Sequence, residues 1–439
     1  MKFSNLPLSL TDMSAPVIGI ASRTQTPKGL RLHIGLFGRR NAGKSSLINA
    51  LTNQKIAIVS DVPGTTTDPV EKACELAPIG PVVFIDTAGV DDVGELGGLR
   101  TERSLAVLGW VDVALIVCDA KALTESELEL IRTVKSTATP TVVVLNKADT
   151  ADAKELIATQ EQVRSLGYEP VTVCASQKLN IDAVREAIVK LAQNAVEPDL
   201  PLLGDLVHPG DTVMLVTPID TGAPKGRMIL PQVQAIREVL DADAKCIVVR
   251  ENRLAETLTN EKEPPAFVVT DSQVVQSVVA QTPKTIPVTT FSIQMAYSKC
   301  DLVEMAHGAA MIDFLRPGDK VMICETCSHH PQPDDIGRKK LPRWLAKKVG
   351  GELDIEVVVG KDFPVDLTPY KLILQCGGCV VTRRHMLTRL AQAKRQNIPM
   401  TNYGVAISHL QGVLERALEL HPKALKAFHE AREIFANHF

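Results

Sequence analysis

Residues 38–45 read Gly-Arg-Arg-Asn-Ala-Gly-Lys-Ser, following the apolar run Leu32–Phe37 and preceding a helical pattern that starts at Lys44. The spacing is that of a phosphate-binding loop between a strand and a helix. Gly38 and Gly43 let the backbone curl until its N–H groups face phosphate oxygens. Lys44 can reach the β- and γ-phosphates, and Ser45 can ligate Mg²⁺. Asn41, Ala42 and Ser46 complete the expected nucleotide-contacting set.

Further segments follow in the order a guanine nucleotide site needs. Residues 63–68, Pro-Gly-Thr-Thr-Thr-Asp, offer hydroxyls on a loop able to close over Mg²⁺ and the γ-phosphate, with Thr66 the candidate ligand. Residues 86–89, Asp-Thr-Ala-Gly, follow the apolar run Val82–Ile85; they put the Asp86 carboxylate near the metal and the Gly89 N–H near the γ-phosphate. Residues 146–149, Asn-Lys-Ala-Asp, carry Asn146, Lys147 and Asp149. A carboxylate at Asp149 accepts from both guanine N1–H and the 2-amino group, a pair that adenine does not present. Cys174 and Ala175 fit the last base-contacting loop, where a backbone N–H meets guanine O6. The expected substrate is GTP, with Lys44, Thr66 and Gly89 as the catalytic group.

These segments resemble the branch of GTPases that contains the tRNA-modifying GTPase and Era-type proteins. Valine cannot orient water, yet Val90 stands where Ras-like enzymes place a glutamine. The resemblance implies that a K⁺ ion, held in part by Asn41, fills that gap and makes hydrolysis slow and potassium-stimulated. The plainer reading of Asn41 is a loop-stabilising amide.

With 439 residues the chain needs two to four cores. A net charge of −3 and 4% aromatic residues give no footprint for nucleic acid or an anionic membrane. No apolar run approaches the roughly 20 residues of a membrane span, and residues 16–21 are too short and broken for a signal peptide. The expectation is a cytoplasmic protein whose nine cysteines are free thiols or metal ligands. Cys74, Cys118, Cys174 and Cys246 stand alone and read as small buried apolar residues. Punctuation divides the chain into a leader (1–30), a βα-alternating nucleotide domain with a parallel sheet (31–196), a proline-spaced linker, a second α/β unit (204–300), a third (301–425) and a helical tail (426–439).

Cys324-Glu-Thr-Cys327 and Cys376-Gly-Gly-Cys379 each lie just past an apolar strand pattern. That edge of an open α/β sheet is where ligands collect, so two distant loops could bring thiolates together. The 48 residues between Cys327 and Cys376 exceed the short loop of a zinc ribbon. Iron–sulfur ligation, structural zinc and redox thiols all stay open, with the spacing favouring a cluster. Cys324 reads chiefly as strand core, and Cys300 has no assigned role. The basic run Arg338, Lys339, Lys340, Arg343, Lys347 and Lys348 reads as a solvated helix face or an attractor for an anionic partner. Asp205, Asp211 and Asp220 read as turn caps.

Several further segments, including Cys327-Ser-His329-His330, residues 334–337, residues 342–345 and Cys376–Cys379, resemble the HydF family of hydrogenase maturation GTPases. So do residues 203–211 and 220–227 in the second unit. The resemblance implies a P-loop GTPase domain, an α/β dimerisation domain and a Rossmann-like α/β domain for cluster binding and tetramerisation. It implies a [4Fe–4S] cluster on Cys327, Cys376 and Cys379, with His329 a candidate fourth ligand and an exchangeable site on one iron. The family's histidine before the last cysteine pair is here Gln375. Implied partners are the radical-SAM maturases HydE and HydG, apo [FeFe]-hydrogenase and a second copy of the chain, with a di-iron precursor as transient cargo. The rival reading is an RNA- or ribosome-assembly GTPase with a structural zinc module.

Overall fold

A computed structural model describes residues 28–52, 70–87, 106–137, 139–194, 200–219, 228–326, 335–360 and 363–437. The expectations for residues 1–27 of the leader, Thr66, Gly89, Val90, Asp220, Cys327 and His329 lie outside these residues, while the leader's last three residues, Lys28–Leu30, form a short 3-10 helix.

The first sheet runs β2-β3-β1-β4-β5-β6, with β1 Leu32–Phe37, β2 Val70–Leu76, β3 Gly80–Asp86, β4 Val113–Asp119, β5 Thr141–Asn146 and β6 Val171–Thr172. Every residue of β4 is buried; a strand covered on both faces reads as a continuous Val/Ile/Leu run rather than an alternation. The sheet is mixed rather than all parallel, because β2 pairs antiparallel with β3 across the tight turn that ends at Gly80. Its Val-Glu-Lys-Ala-Cys-Glu-Leu sequence carries three charged residues among seven and lies largely half-exposed at the sheet edge, so it lacks the apolar run that marks the other strands. Cys118 is buried here, but Cys74 on β2 is only half-buried, and so is Cys246 in the second domain.

Two four-stranded parallel sheets follow. The second domain orders β10-β9-β7-β8, from β7 Thr212–Val216, β8 Lys245–Val249, β9 Phe267–Thr270 and β10 Val288–Thr290. The third orders β12-β11-β13-β14, from β11 Lys320–Glu325, β12 Asp354–Val359, β13 Leu372–Gln375 and β14 Met400–Asn402. The register of β11 on β13 pairs Cys324 with Gln375, so the two cysteine-bearing loops leave neighbouring strands at one sheet edge.

The last helix, Pro422–Ala436, is built into the third core and is not an appended tail. Ala424, Phe428 and Ala431 are buried at helical spacing, in the same apolar cluster as Leu302, Met305 and Ala309 of helix Leu302–Ala309. That helix approaches β14 so closely that a Cβ on Gly308 would lie 2.1 Å from the Met400 carbonyl oxygen. Among the described residues no helix is long and apolar enough to cross a membrane.

Candidate nucleotide and metal sites

Backbone geometry builds the phosphate loop. Gly38, Asn41 and Gly43 have φ of 143°, 61° and 93°, the left-handed side that glycine and asparagine tolerate best. A Cβ at Gly38 would lie 2.2 Å from the Val117 carbonyl oxygen, and one at Gly43 would lie 2.1 Å from Asn146 Nδ2. Helix Lys44–Thr52 starts directly from the loop. Lys44 Nζ donates to the carbonyls of Gly38 at 2.9 Å and Arg39 at 3.0 Å, which arches the ammonium over the loop.

Leu36 of β1 is in register with Asp86, the last residue of β3. This brings Ser45 Oγ within 2.9 Å of Asp86 Oδ2. A hydroxyl and a carboxylate side by side at the loop form an oxygen donor pair suited to Mg²⁺. Thr87 turns its hydroxyl back onto the Leu36 carbonyl at 2.6 Å and so fixes the strand end.

Asn146 joins the phosphate side of the site to the base side. It is buried and donates Nδ2 to the Ala42 carbonyl at 2.9 Å, while its Oδ1 accepts the Ala175 N–H at 3.0 Å. Asp149 is held by Cys174, whose thiol donates to Oδ1 at 3.0 Å, and by Gln177 Nε2 on Oδ2 at 3.2 Å. Cys174 is therefore a buried donor rather than an apolar filler. Lys147 sits at φ 61° with Nζ 3.4 Å from Asp119, which also pairs with Arg39 at 3.1 Å. Sequence reading missed Gln177 and Asp119, which no short motif flags.

In the third domain the cysteines separate into two environments. Cys324 is fully buried among Met322, Ile373 and Val405, and burial pushes its thiol up to about 12. Only its backbone carbonyl reaches toward the other loop, accepting the Cys376 N–H at 2.9 Å. Cys300 is equally buried, its thiol also pushed up to about 12 by desolvation. Cys376 instead meets polar atoms. Its Sγ lies 3.2 Å from the Thr326 N–H nitrogen, 3.1 Å from Thr326 Oγ1 and 3.4 Å from Gln375 Nε2. Cys379 is half-buried, and desolvation together with the neighbouring Cys376 raises its thiol to about 11, with Lys299 opposing. Gly378 takes φ 66°.

A sulfur facing N–H and hydroxyl donors suits a thiolate that binds iron or another soft metal. Among the described residues, no group of three or more His, Cys, Asp or Glu side chains is arranged to hold a metal ion.

Three of the six residues of the basic run are engaged. Arg338 forks onto the buried Glu325 at 3.0 and 3.2 Å, Lys340 donates to Gln273 at 2.7 Å and Lys348 pairs with Asp313 at 2.8 Å. In the second domain Asp211 accepts the His208 N–H at 2.8 Å as a turn cap, and Asp205 accepts the Tyr297 hydroxyl at 2.7 Å.

A glycine-bounded loop at a strand end, a Ser–Asp donor pair and an Asn-tied base loop define a P-loop protein of the GTPase class with two further α/β domains. Profile comparison agrees domain by domain. The 50S ribosome-binding GTPase profile matches residues 33–147, the Hydrogen maturase F dimerization domain matches 202–300 and the Hydrogen maturase F tetramerization domain matches 303–420. The chain belongs to the hydrogen maturase F (HydF) family. Curated relatives match through the GTPase region. The tRNA modification GTPase MnmE of Trichormus variabilis is 38% identical over 167 residues, covering 37% of this chain and 34% of that protein. GTPase Der of Wolinella succinogenes is 34% identical over 172 residues, covering 37% and 36%. The chain thus spans about a third of the length of these relatives. Among solved structures, Aquifex aeolicus Era bound to GDP.AlF4- is similar at 20% identity and a TM-score of 0.33, covering 52% of this chain and 97% of that one.

Proposed function

We propose that this chain is a GTP-hydrolysing scaffold that carries a [4Fe–4S] cluster on Cys327, Cys376 and Cys379 and passes a di-iron precursor to apo [FeFe]-hydrogenase. The observation that carries the reading is the contact of Thr326 with Cys376 Sγ through both N–H and hydroxyl. Thr326 is the residue before Cys327, so the first cysteine loop starts out from β11 beside Cys376 at the end of the adjacent strand β13. The dimerization and tetramerization domain matches favour this reading over an RNA-assembly GTPase with structural zinc. In such a protein the cluster supplies an iron with a replaceable ligand to which a precursor can attach. HydE and HydG are the expected donors, and the expected working form is a homodimer or tetramer in the cytoplasm.

On the nucleotide side, Lys44 holds the β- and γ-phosphate charge, while Ser45 and Asp86 present the oxygens for Mg²⁺. Thr66 and Gly89 are assigned the γ-phosphate contacts. Asp149 reads the guanine edge, oriented by Cys174 and Gln177, and the Ala175 N–H meets O6. Bound near Asn41, K⁺ would stabilise charge developing at the β–γ bridge, a role Val90 cannot assist.

Anaerobic reconstitution of the full chain with iron and sulfide, followed by metal analysis and EPR, tests the assignment. The expected result is about four irons per chain, with an S = 1/2 signal on reduction that Cys376→Ala abolishes. A zinc-only, EPR-silent protein would overturn it.

A further inference from the structure

Gln375 ends β13 with its side chain wholly buried, and its amide is engaged differently on its two sides. Arg389, also buried, lies on helix Arg383–Arg395 and donates Nη1 to Gln375 Oε1 at 3.0 Å. A second bond from Nη2 to the Gly360 carbonyl at 2.9 Å, and the Phe363 ring 5.0 Å from the guanidinium carbon, fix the plane of that group. A guanidinium can only donate. The amide oxygen must therefore face Arg389, and Nε2 is turned to the opposite side. There it meets the Cys324 carbonyl at 3.4 Å and Cys376 Sγ at 3.4 Å. The usual ambiguity between amide oxygen and nitrogen is removed by what Arg389 can accept, which is nothing.

We infer that Arg389 and Gln375 form a positioning pair that holds an N–H donor on Cys376 Sγ and so sets the electronics of whatever metal that sulfur binds. The inference rests on the cluster reading above. Thr326 supplies two further contacts to the same sulfur. Each donor draws negative charge off the thiolate, and the effect is larger in the more negative, reduced state of an iron–sulfur centre. Hydrogen bonds to ligand sulfur are among the factors that set cluster potentials. Gln375 is thus not a vacant ligand position but a hydrogen-bonding one, with its geometry imposed from a helix fourteen residues later in the chain.

The experiment compares the reconstituted full chain with Gln375→Met, Gln375→Glu and Arg389→Lys by EPR-monitored redox titration, alongside iron and sulfide counts and thermal melting. Methionine keeps length and lacks both charge and donor. Glutamate keeps an acceptor for Arg389 and lacks the donor. Both should shift the reduction equilibrium against the reduced cluster about tenfold, 59 mV for one electron, at unchanged iron content. Arg389→Lys should move it in the same direction by less, because the amide is then free to turn, and it carries the test if the Gln375 variants fail to fold. Equal potentials in wild type and folded variants would overturn the inference alone. A shift in Gln375→Glu without one in Gln375→Met would also overturn it, marking added charge as the cause. A wild-type chain that takes up no iron would sink the cluster reading and this inference together.

Discussion

Replacing Asn146 with alanine should disconnect the phosphate loop from the base loop. The side chain is buried and makes one bond to each: Nδ2 to the Ala42 carbonyl at 2.9 Å, and Oδ1 from the Ala175 N–H at 3.0 Å. Ala42 is fully buried and Ala175 nearly so, so Asn146→Ala leaves a carbonyl and an N–H unpaired. Each orphaned group costs about 1–3 kcal/mol, or roughly 2–6 kcal/mol for the pair. At 1.4 kcal/mol per tenfold, even the lower bound corresponds to about 30-fold weaker nucleotide binding if it falls on the bound state. Asn146→Asp keeps the acceptor for the Ala175 N–H but turns a carboxylate oxygen onto the Ala42 carbonyl at a buried position. Repulsion between the two oxygens and the unpaired buried charge should make its loss at least as large as alanine's. The assay is a fluorescent-GDP titration paired with a thermal melt, so that loss of affinity and loss of fold are read separately. A dissociation constant for Asn146→Ala within threefold of wild type, with an unchanged melting point, would refute the account of Asn146 as the link between the loops.

Gly308→Ala should destabilise the third domain, since the new Cβ would sit 2.1 Å from the Met400 carbonyl oxygen with backbone on both sides. Overpacking of this kind costs about 1–3 kcal/mol, and an unchanged urea midpoint would count against so close a helix–strand approach. His421 is half-buried beside Gln294 and Tyr297, and desolvation pulls its pKa down to about 4. The folded value lies below the usual unfolded value of about 6.5, so its contribution is complete above that pH and is lost as pH falls toward 4. Wild type should therefore lose denaturant resistance between pH 7 and pH 5 more steeply than His421→Gln; parallel losses would refute the assignment. GTP turnover should be faster in potassium than in sodium buffers at equal ionic strength, and Asn41→Ala should abolish the difference; equal rates in wild type would remove K⁺ from the mechanism.

The phosphate loop was legible because its glycines are sterically compelled: no side chain fits 2.2 Å from Val117 O or 2.1 Å from Asn146 Nδ2. The two cysteine loops were legible as strand ends for a similar reason, as β11 and β13 are apolar runs that stop just before Thr326 and Cys376. Strand β2 was not legible. It lies at an edge with one covered flank, and its charged residues obscure the strand period. Cys324 and Cys376 look alike in sequence, each being a cysteine near a strand end. They diverge because Cys324 is still inside β11 with its side chain turned into the core, whereas Cys376 is the first residue beyond β13. The Arg389–Gln375–Cys376 arrangement had no sequence signature at all, since a strand end and the middle of the next helix meet only once the chain is folded.

The contacts between the nucleotide domain and the cysteine domain constrain how one could influence the other. Arg384 Nη2 donates to Thr139 Oγ1 at 3.0 Å, and His385 stacks on Trp110 at 6.3 Å between ring centroids. Trp110 and Thr139 precede β4 and β5, so this contact lies at the N-terminal edge of the first sheet. The phosphate and base loops leave the C-terminal edge of the same strands. A seven-residue strand such as β4 spans about 20 Å, and so the described nucleotide loops and this interface are separated by the depth of the sheet. Helix Arg383–Arg395, which forms the interface, begins four residues after Cys379 and carries Arg389. On the other side, Gly29 enters β1 packed against the Cys379 carbonyl, with Lys299 Nζ donating to the Gly29 carbonyl at 2.5 Å. Through these contacts, an effect of nucleotide on the cysteine loop would move the largely buried strands β4 and β5 against helix Arg383–Arg395 or shift the entry to β1. The helix route ends at the Arg389–Gln375 pair beside Cys376, and the β1 route ends at the Cys379 carbonyl.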